Sequence, residues 1–435
     1  METWRRRRPI YTPRRTGHRL LALVFLAFTA ATCDRPAEQD PQPAVEIRDS
    51  AGIEIVRNHA PEWDSTEFWT VDPEPEFAIG GYRAASDSPS ASHLVWDIQG
   101  AAPLSDGRVA MLSPNGENKV LIFEPSGALS ASFGRQGDGP GEFSHAIHLQ
   151  VLKGDTIAVW DYMFGPVSYF DPDGNLLKHR SIDFGAVVEA TLATNEVLSE
   201  SVAVPFPDGS FLVEVGRLDW EPPKKGVHQP PVAYVRIDSS YAAHWFGWWD
   251  GVERLAIPVS SPVIVPFVPF ANRSIITGGG NPLTVYVAPG DRYEIHQFSA
   301  TGVLRRIIRR RVEPAPITSR ETETWVEDIS ARNPHIEWTE WKRAVAALPA
   351  RFRRPIGTFR VDSGGYLWTM DTRRDSTSEW SVYDREGRWL GTLEIPLPKP
   401  TVMWIGDIVV GVHTDPVTGA ETVKGYRVHR HAGRS

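Results

Sequence analysis

The chain has 435 residues, of which 41% are hydrophobic, with 36 glycines, 36 prolines, one cysteine and a formal net charge of −8. This composition supplies a sizeable core, but the frequent glycines and prolines disfavour long helices. One thiol excludes an intramolecular disulfide and a cysteine-based metal site. The acidic balance argues against nucleic acid as a partner, because neutralising phosphates needs clustered lysine and arginine.

The N-terminal 33 residues have the features of a signal peptide. They hold seven arginines and one glutamate, and the run from Leu20 to Thr32 is apolar or small and uncharged. Such a run is too short to span a bilayer but matches the apolar core of a signal peptide. Without this segment the chain keeps 39 basic and 53 acidic residues, a net charge of −14.

Cys33 ends the run, and the stretch TAATC that it completes resembles the lipobox of bacterial lipoproteins. In those proteins the cysteine becomes the lipidated first residue of the mature chain. Ala30 and Thr32 depart from the preferred residues, so ordinary signal-peptide cleavage just before Thr32 is the alternative. Residues 34–44 read as a polar, proline-rich tether. We expect an exported protein, periplasmic or at the cell surface, which is anchored to a membrane through Cys33.

Residues 45–435 repeat a pattern of turn, strand, loop, strand, turn and strand. Asp-Gly and related pairs supply the positive φ angles of tight hairpin turns, and the strands are rich in β-branched and apolar residues. A further strand between copies, such as AIHLQV at residues 146–151, gives four strands per unit. Six four-stranded units predict an all-β, six-bladed β-propeller. The copies begin with LSDGRVAML, LKGDTIAVWD, FPDGSFLVEV, FANRSIITGG, DSGGYLWTMD and WIGDIVVGV.

The sixth copy lacks its last strand, because only a few residues follow GYRVHRH. Residues 73–81 (PEPEFAIGG) resemble the end of the first unit. We therefore expect this N-terminal segment to supply the missing outermost strand. That strand would close the ring and leave no bare sheet edge.

A helical insertion is expected between the fourth and fifth blades, over residues 318–356. Thr318 and Glu321 form a plausible capping box, and the apolar residues that follow have helical spacing. The simplest role is a lid packed on one end of the propeller. The functional alternative is a cover over a pocket or a partner-docking surface. The apolar residues are Trp325, Ile329, Trp338, Trp341, Val345 and Leu348.

The glycine-rich stretch GRQGDGPGEF at residues 134–143 lacks the spacing of a phosphate-binding loop. With the following DTIAVWD and VSYFDPDGNLL it resembles the blades of NHL-repeat proteins, in which a glycine-rich segment ending in phenylalanine links two blades. The chain is similar to exported bacterial six-bladed propellers of that broad group over roughly residues 45–430. The resemblance implies a connector with Phe143 between two blades; it implies little about activity.

Candidate ligand-binding residues are those expected at the channel mouth, where the inner strand of each blade begins. They are Asp97, His145, His148 and Glu200. Histidines and carboxylates around an axis could bind Ca²⁺ or Zn²⁺, as in propeller lactonases and lyases of similar fold, or act as acid and base. However, His145 and His148 are three residues apart on a strand and would point to opposite faces. The alternative is that all four are satisfied polar residues.

The strand-ending aspartates and a tryptophan-rich stretch each allow a structural and a functional interpretation. Asp161 and Asp371 each end the second strand of a unit, which favours loop capping over catalysis. Trp245, Trp248 and Trp249 would bind a protein, peptide or glycan if exposed, or form core if buried.

Because no complete catalytic constellation is visible, we expect a monomeric binding or scaffold protein of the cell envelope. The alternative is a metal-dependent hydrolase or lyase with its site at the channel mouth.

Overall fold

A computed structural model gives the fold. It describes residues 43–64, 68–81, 97–113, 119–161, 166–180, 197–206, 208–217, 220–221, 223, 225–256, 267–313, 315–334, 336–348, 351–372, 378–397 and 401–430. Their strands form six larger sheets, which are the six blades of a β-propeller, and one short two-stranded sheet. None of the helices found in these ranges has the length and apolar character needed to cross a membrane.

The first four strands precede the repeats and join sheets that form later in the chain. Blades 1 to 3 are four-stranded and antiparallel. The early strands are β1 (Val45–Ser50), β2 (Ile53–Asn58), β3 (Trp69–Val71) and β4 (Phe77–Gly80). Blade 1 holds β5 (Gly100–Pro103), β6 (Val109–Ser113), β7 (Lys119–Phe123) and β8 (Leu129–Phe133). Blade 2 holds β9 (Ala146–Val151), β10 (Ile157–Asp161), β11 (Val167–Phe170) and β12 (Leu176–Arg180).

The two strands of the short sheet lie in the links of blade 3. One precedes the third strand of the blade, and the other follows the fourth. Blade 3 and the short sheet comprise β13 (Val197–Pro205), β14 (Phe211–Arg217), β15 (Gly226–His228), β16 (Pro231–Ile237), β17 (Ala243–Asp250) and β18 (Arg254–Ala256). In this group β15 pairs with β18, and the other four strands form the blade.

The last three blades complete the ring, with two helices between blades 4 and 5. Blade 4 holds β19 (Ile275–Gly279), β20 (Thr284–Ala288), β21 (Glu294–Ser299) and β22 (Leu304–Arg310). The helices are α1 (Ser319–Arg332) and α2 (Trp338–Ala346). Blades 5 and 6 hold β23 (Ile356–Val361), β24 (Leu367–Asp371), β25 (Ser378–Tyr383), β26 (Trp389–Ile395), β27 (Thr401–Ile405), β28 (Ile408–Thr414) and β29 (Glu421–Arg430).

The hydrophobic core lies between blades rather than within one of them. Each blade interface has its own cluster of buried apolar side chains. Between blades 2 and 3, for example, Ala158 and Trp160 pack against Val213 and Val235. A residue on either face of a blade is therefore buried, which explains why central strands such as β6 and β10 are buried throughout.

The glycine-rich stretch is the predicted connector between blades 1 and 2. The Phe143 side chain is 1% exposed and packs in the cluster that these two blades share. Its backbone N–H donates to the carbonyl of Arg135 (2.9 Å), and the Gly137 N–H donates to the carbonyl of Phe143 (3.2 Å). These bonds fold the stretch back on itself and aim the ring between the sheets.

The N-terminal segment closes the ring as predicted. Strand β4 pairs antiparallel with β29 in blade 6, with Gly80 opposite Thr422 and Phe77 opposite Gly425. Strand β3 pairs with the other end of β29. The inner strands of blades 6 and 1 also lie against each other, so the circle is continuous.

One addition to blade 4 was not predicted. The hairpin of β1 and β2 extends this blade to six strands, because β2 pairs parallel to β22. Residues 305–311 (RRIIRRR) form a basic run, and all but the last of them lie in β22, inside this sheet. Two of its arginines have acidic partners in the same sheet: Arg306 pairs with Glu54, and Arg309 donates to Glu294 (2.7 Å).

The two helices confirm the predicted insertion. Thr318 caps α1, and the reciprocal hydrogen bonds with Glu321 complete the capping box. Both helices and the β15–β18 sheet share a separate apolar cluster with the fully buried Trp341 at its centre. We call α1, α2 and the β15–β18 sheet the helical cap. The other buried members of the cluster are Leu255, Val268, Val326, Ile336 and Val345.

Candidate functional site

The helical cap lies at one end of the propeller, next to the starts of inner strands. Successive strands of an antiparallel blade alternate in direction. Two links therefore leave from the same end of a blade. One joins the second strand to the third, and the other joins the outer strand to the inner strand of the next blade. Strand β15 lies in the link between the second and third strands of blade 3, whereas β18 and the helices lie in links that lead to the next inner strand. These insertions consequently gather where the inner strands of blades 4 and 5 begin.

Three arginines lie in the two links that precede β19 and β23. Arg254 is the first residue of β18, Arg273 precedes β19, and Arg354 precedes β23. Arg273 interacts electrostatically with Arg354, and both Arg254 and Arg273 interact electrostatically with Glu214 of β14. We call Arg254, Arg273 and Arg354 the arginine cluster. Glu214 interacts with two of its three members, Arg254 and Arg273.

Burial sets the ionisation of these groups. It raises the pKa of the Glu214 carboxyl above its ordinary value, although the positive charges of Arg273 and Arg254 oppose that shift. Burial, assisted by the charge of Arg273, lowers the pKa of Arg354. Both directions are those expected when charged groups lose hydration without gaining close partners of opposite charge.

No side chain of the arginine cluster forms a hydrogen bond or close ion pair with another described residue. Arg254 and Arg354 are half-buried, and Arg273 is exposed. The Nε atom of Arg254 is buried without a partner, and its guanidinium lies 5.4 Å from the centre of the Phe267 ring. An unpaired guanidinium presents a planar fork of donors that matches a carboxylate or a phosphate.

Neighbouring arginines show that the same region pairs its other cations. Arg351 forms an ion pair with Glu253, and Arg353 forms one with Glu321. The Arg353 pair joins the segment before β23 to α1, and the Arg351 pair joins that segment to the one before β18. The arginine cluster is thus distinguished from its surroundings by the missing carboxylates rather than by its arginine content.

His228 adds a polar group beside the cluster. It lies opposite Arg254 in the β15–β18 pairing, and its ring centre is 5.2 Å from that of Trp220. Burial lowers the pKa of the imidazole, so the neutral form is favoured. Its Nε2 atom is buried without a partner within the described part of the chain.

Of the four residues expected at the channel mouth, the structure describes the side chains of Asp97, His145 and His148. Asp97 is exposed and accepts a hydrogen bond from Gln99 (2.6 Å). His145 is exposed, and His148 is half-buried in β9. Glu200 lies in β13, but its side chain is outside the described atoms. Within the described ranges, no three histidine, cysteine or acidic residues are placed to hold a metal ion. Ligand binding by these residues stays a prediction.

The two strand-ending aspartates have different roles. Asp161 accepts hydrogen bonds from the backbone N–H groups of Ser144 (2.6 Å) and His145 (2.5 Å), which confirms loop capping. Asp371 instead pairs with the buried guanidinium of Arg310 and accepts hydrogen bonds from the hydroxyls of Ser381 (3.1 Å) and Tyr293 (3.2 Å). Loop capping by Asp371 stays a prediction.

The tryptophan stretch lies in β17, the outer strand of blade 3. Trp248 is 42% exposed and meets Trp245 edge-on at 5.5 Å. Trp249 is half-buried: its indole N–H donates to the carbonyl of Phe246 (2.9 Å) and its ring packs on His296 (5.1 Å). Trp248 is therefore exposed and Trp249 is partly packed, and binding of a partner at Trp248 stays a prediction.

Comparison with known proteins concerns the fold alone. No protein-family model and no curated protein matches the sequence. A solved member of the DUF4221 family from Bacteroides vulgatus is 9% identical, with a TM-score of 0.43, over 85% of this chain and 100% of the other. A gluconolactonase from Xanthomonas campestris is 13% identical, with a TM-score of 0.36, over 84% and 99%. An inactive virginiamycin B lyase from Staphylococcus aureus is 10% identical, with a TM-score of 0.37, over 78% and 98%.

Proposed function

We propose that this protein is a ligand-binding propeller of the bacterial cell envelope, which captures a small carboxylate- or phosphate-bearing ligand at the arginine cluster. The observation that carries the proposal is that Arg254 and Arg354 are half-buried and have no ion-pair partner among the described residues. A desolvated charge without a partner costs several kcal/mol, so such groups are kept where a ligand supplies the opposite charge. Glu214 sets the charge balance of the site.

The proposal predicts that Arg254→Met and Arg354→Met each weaken binding of citrate or inorganic phosphate about 10- to 100-fold. That range corresponds to the roughly 1.5–3 kcal/mol of a hydrogen bond to a charged group. Isothermal titration calorimetry on the purified chain measures the effect. The matched control is Arg332→Met, an exposed arginine of α1 whose partner is Asp328. Equal affinities for the control and the two variants would overturn the assignment.

Replacing Glu214 is expected to change the anion affinity in the opposite direction in the same calorimetric experiment. Glu214→Gln removes the negative charge and should strengthen anion binding. In the unaltered chain, affinity should rise as the pH falls through the raised pKa of Glu214, because protonation removes the same charge. The Glu214→Gln variant should lose this pH dependence.

A metal-dependent hydrolase or lyase at the channel mouth is the alternative function. It would use Ca²⁺ or Zn²⁺ and the residues Asp97, His145, His148 and Glu200. Calorimetry on the chain before and after EDTA treatment separates the two functions. Loss of bound metal with a lower melting temperature favours the enzyme, whereas unchanged citrate binding after EDTA favours the metal-free site.

The envelope location is part of the proposal and has its own test. Lipidation of Cys33 would anchor the chain through the tether at residues 34–44. Cys33→Ser should therefore release the protein from the membrane fraction into the soluble fraction on cell fractionation. A variant that stays with the membranes would contradict lipid anchoring, and Ser50→Ala serves as a control that leaves Cys33 intact.

A further inference from the structure

The helical cap contains a pocket of about 530 Å³ between α2 and the β15–β18 sheet. This volume lies in the range of pockets that hold small organic ligands. Most of its lining is apolar, and its floor is formed by Leu255 and Ala256, each 2% exposed. The other apolar lining residues are Val227, Ala344, Ala347 and Leu348.

Three charged side chains also line the pocket: Lys225, Glu340 and Arg343. Lys225 and Arg343 are exposed, and Glu340 is half-buried. None of the three forms an ion pair with another described residue. The positive side chains therefore lie toward solvent, while the apolar walls lie toward the core of the cap. Their combined formal charge is +1.

From this arrangement we infer that the pocket binds a single-chain anionic amphiphile, specifically a long-chain fatty carboxylate. The alkyl chain would lie on the apolar walls, where burial away from water stabilises it. The carboxylate would stay at the opening, where Arg343 and Lys225 attract it and water still solvates it. A ligand without an alkyl chain would leave the apolar walls in contact with water. A ligand without a negative charge would not interact with the two cations.

The pocket is separate from the arginine cluster. None of Arg254, Arg273 and Arg354 lines it. The inference therefore goes beyond the proposed function and does not depend on it. Citrate binding reports on the arginine cluster, and fatty-acid binding reports on the pocket.

A chain-length series on the full-length Cys33→Ser protein tests the alkyl site. Decanoate, laurate and myristate should bind with affinities that rise about 15-fold for each two added carbons, since each buried methylene contributes about 0.8 kcal/mol, or about fourfold. Dodecanol should bind at least tenfold more weakly than laurate. Equal affinities across the series would overturn the inference, because attraction to surface charge does not depend on chain length.

Charge variants test the position of the carboxylate. Arg343→Gln should weaken laurate binding about tenfold, whereas Glu340→Gln should strengthen it by removing a repulsive charge. The matched control is Lys342→Gln, which removes a positive charge from the same helix outside this pocket. If Lys342→Gln weakened binding as much as Arg343→Gln, the effect would be general electrostatics and the inference would fail.

Filling the pocket gives an independent check. Ala344→Trp should abolish laurate binding while the far-ultraviolet circular dichroism spectrum and the melting temperature stay close to those of the unaltered chain, which shows that the variant is folded. Ala344→Leu is a milder version, and it should weaken laurate binding with little effect on the melting temperature. Unchanged laurate binding in both variants would place the fatty acid elsewhere.

Discussion

Replacing Asp371 with alanine is expected to lower the free energy of unfolding by about 3–5 kcal/mol. The carboxylate of Asp371 and the guanidinium of Arg310 form an ion pair between blades 4 and 5, and their side chains are 2% and 5% exposed. The guanidinium also donates to Ser381 (2.7 Å) and lies 4.2 Å from the centre of the Tyr293 ring. Alanine would leave that charge buried without its partner. Urea denaturation followed by tryptophan fluorescence measures the loss.

The environment of Arg310 explains why this charge cannot simply be neutralised. Burial disfavours its charged form, but the neighbouring Tyr293, Tyr383 and Asp371 outweigh burial and raise the pKa of Arg310 above its ordinary value. The guanidinium therefore stays charged throughout the ordinary pH range. The cost of removing Asp371 follows from that permanent charge.

Two controls separate a buried charge from ordinary packing. The double variant Arg310→Met with Asp371→Leu removes both charges and should recover most of the stability lost in Asp371→Ala. Glu54→Ala breaks the pair with Arg306, in which the Glu54 side chain is 48% exposed, and should cost about 1 kcal/mol or less. A double variant as unstable as Asp371→Ala would show that lost volume, not charge, dominates.

Features with local causes could be predicted from the sequence. Each blade carries its own hairpin turns, so the repeat count and the fold class follow from Asp-Gly signals and strand patterning. The roles of Phe143 and the Thr318 capping box also depend on short segments. The closing strand was predictable because residues 73–81 repeat a pattern found elsewhere in the chain.

The hairpin of β1 and β2 could not be predicted in the same way. Its parallel pairing joins Ile55 to Ile307, residues that are far apart in the chain. No repeat signal marks a fifth and sixth strand, because other blades have no counterpart. The addition depends on the edge that blade 4 presents after folding.

The arginine cluster escaped prediction for a different reason. Arg273 and Arg354 do lie where inner strands begin, which is the place where ligand residues were sought. The search there favoured histidines and carboxylates, and single arginines in loops carry no distinctive pattern. What marks the cluster is the lack of close carboxylate partners among the described residues. That property arises only when two links, the one before β19 and the one before β23, and β14 meet in space.

Trp341→Ala is expected to unfold the helical cap while the blades stay folded. Trp341 is completely buried and meets Trp325 edge-on at 6.1 Å. Truncating a buried tryptophan to alanine costs about 3–5 kcal/mol, and the apolar cluster of the cap is separate from the clusters between blades. The lost free energy therefore destabilises the helical cap alone. Local opening of the cap costs less free energy than unfolding of the whole protein.

Hydrogen–deuterium exchange measures this prediction directly. Amides of α1 and α2 should exchange about 100-fold faster or more in Trp341→Ala, while amides of β6, β10 and β24 keep their protection. Trp338→Ala is the matched control, because Trp338 is half-buried in the same helix and should cause a much smaller change. Equal loss of protection in the cap and the blades would mean that they unfold as one unit. In that case the cap would contribute to the stability of the propeller rather than form a separate unit.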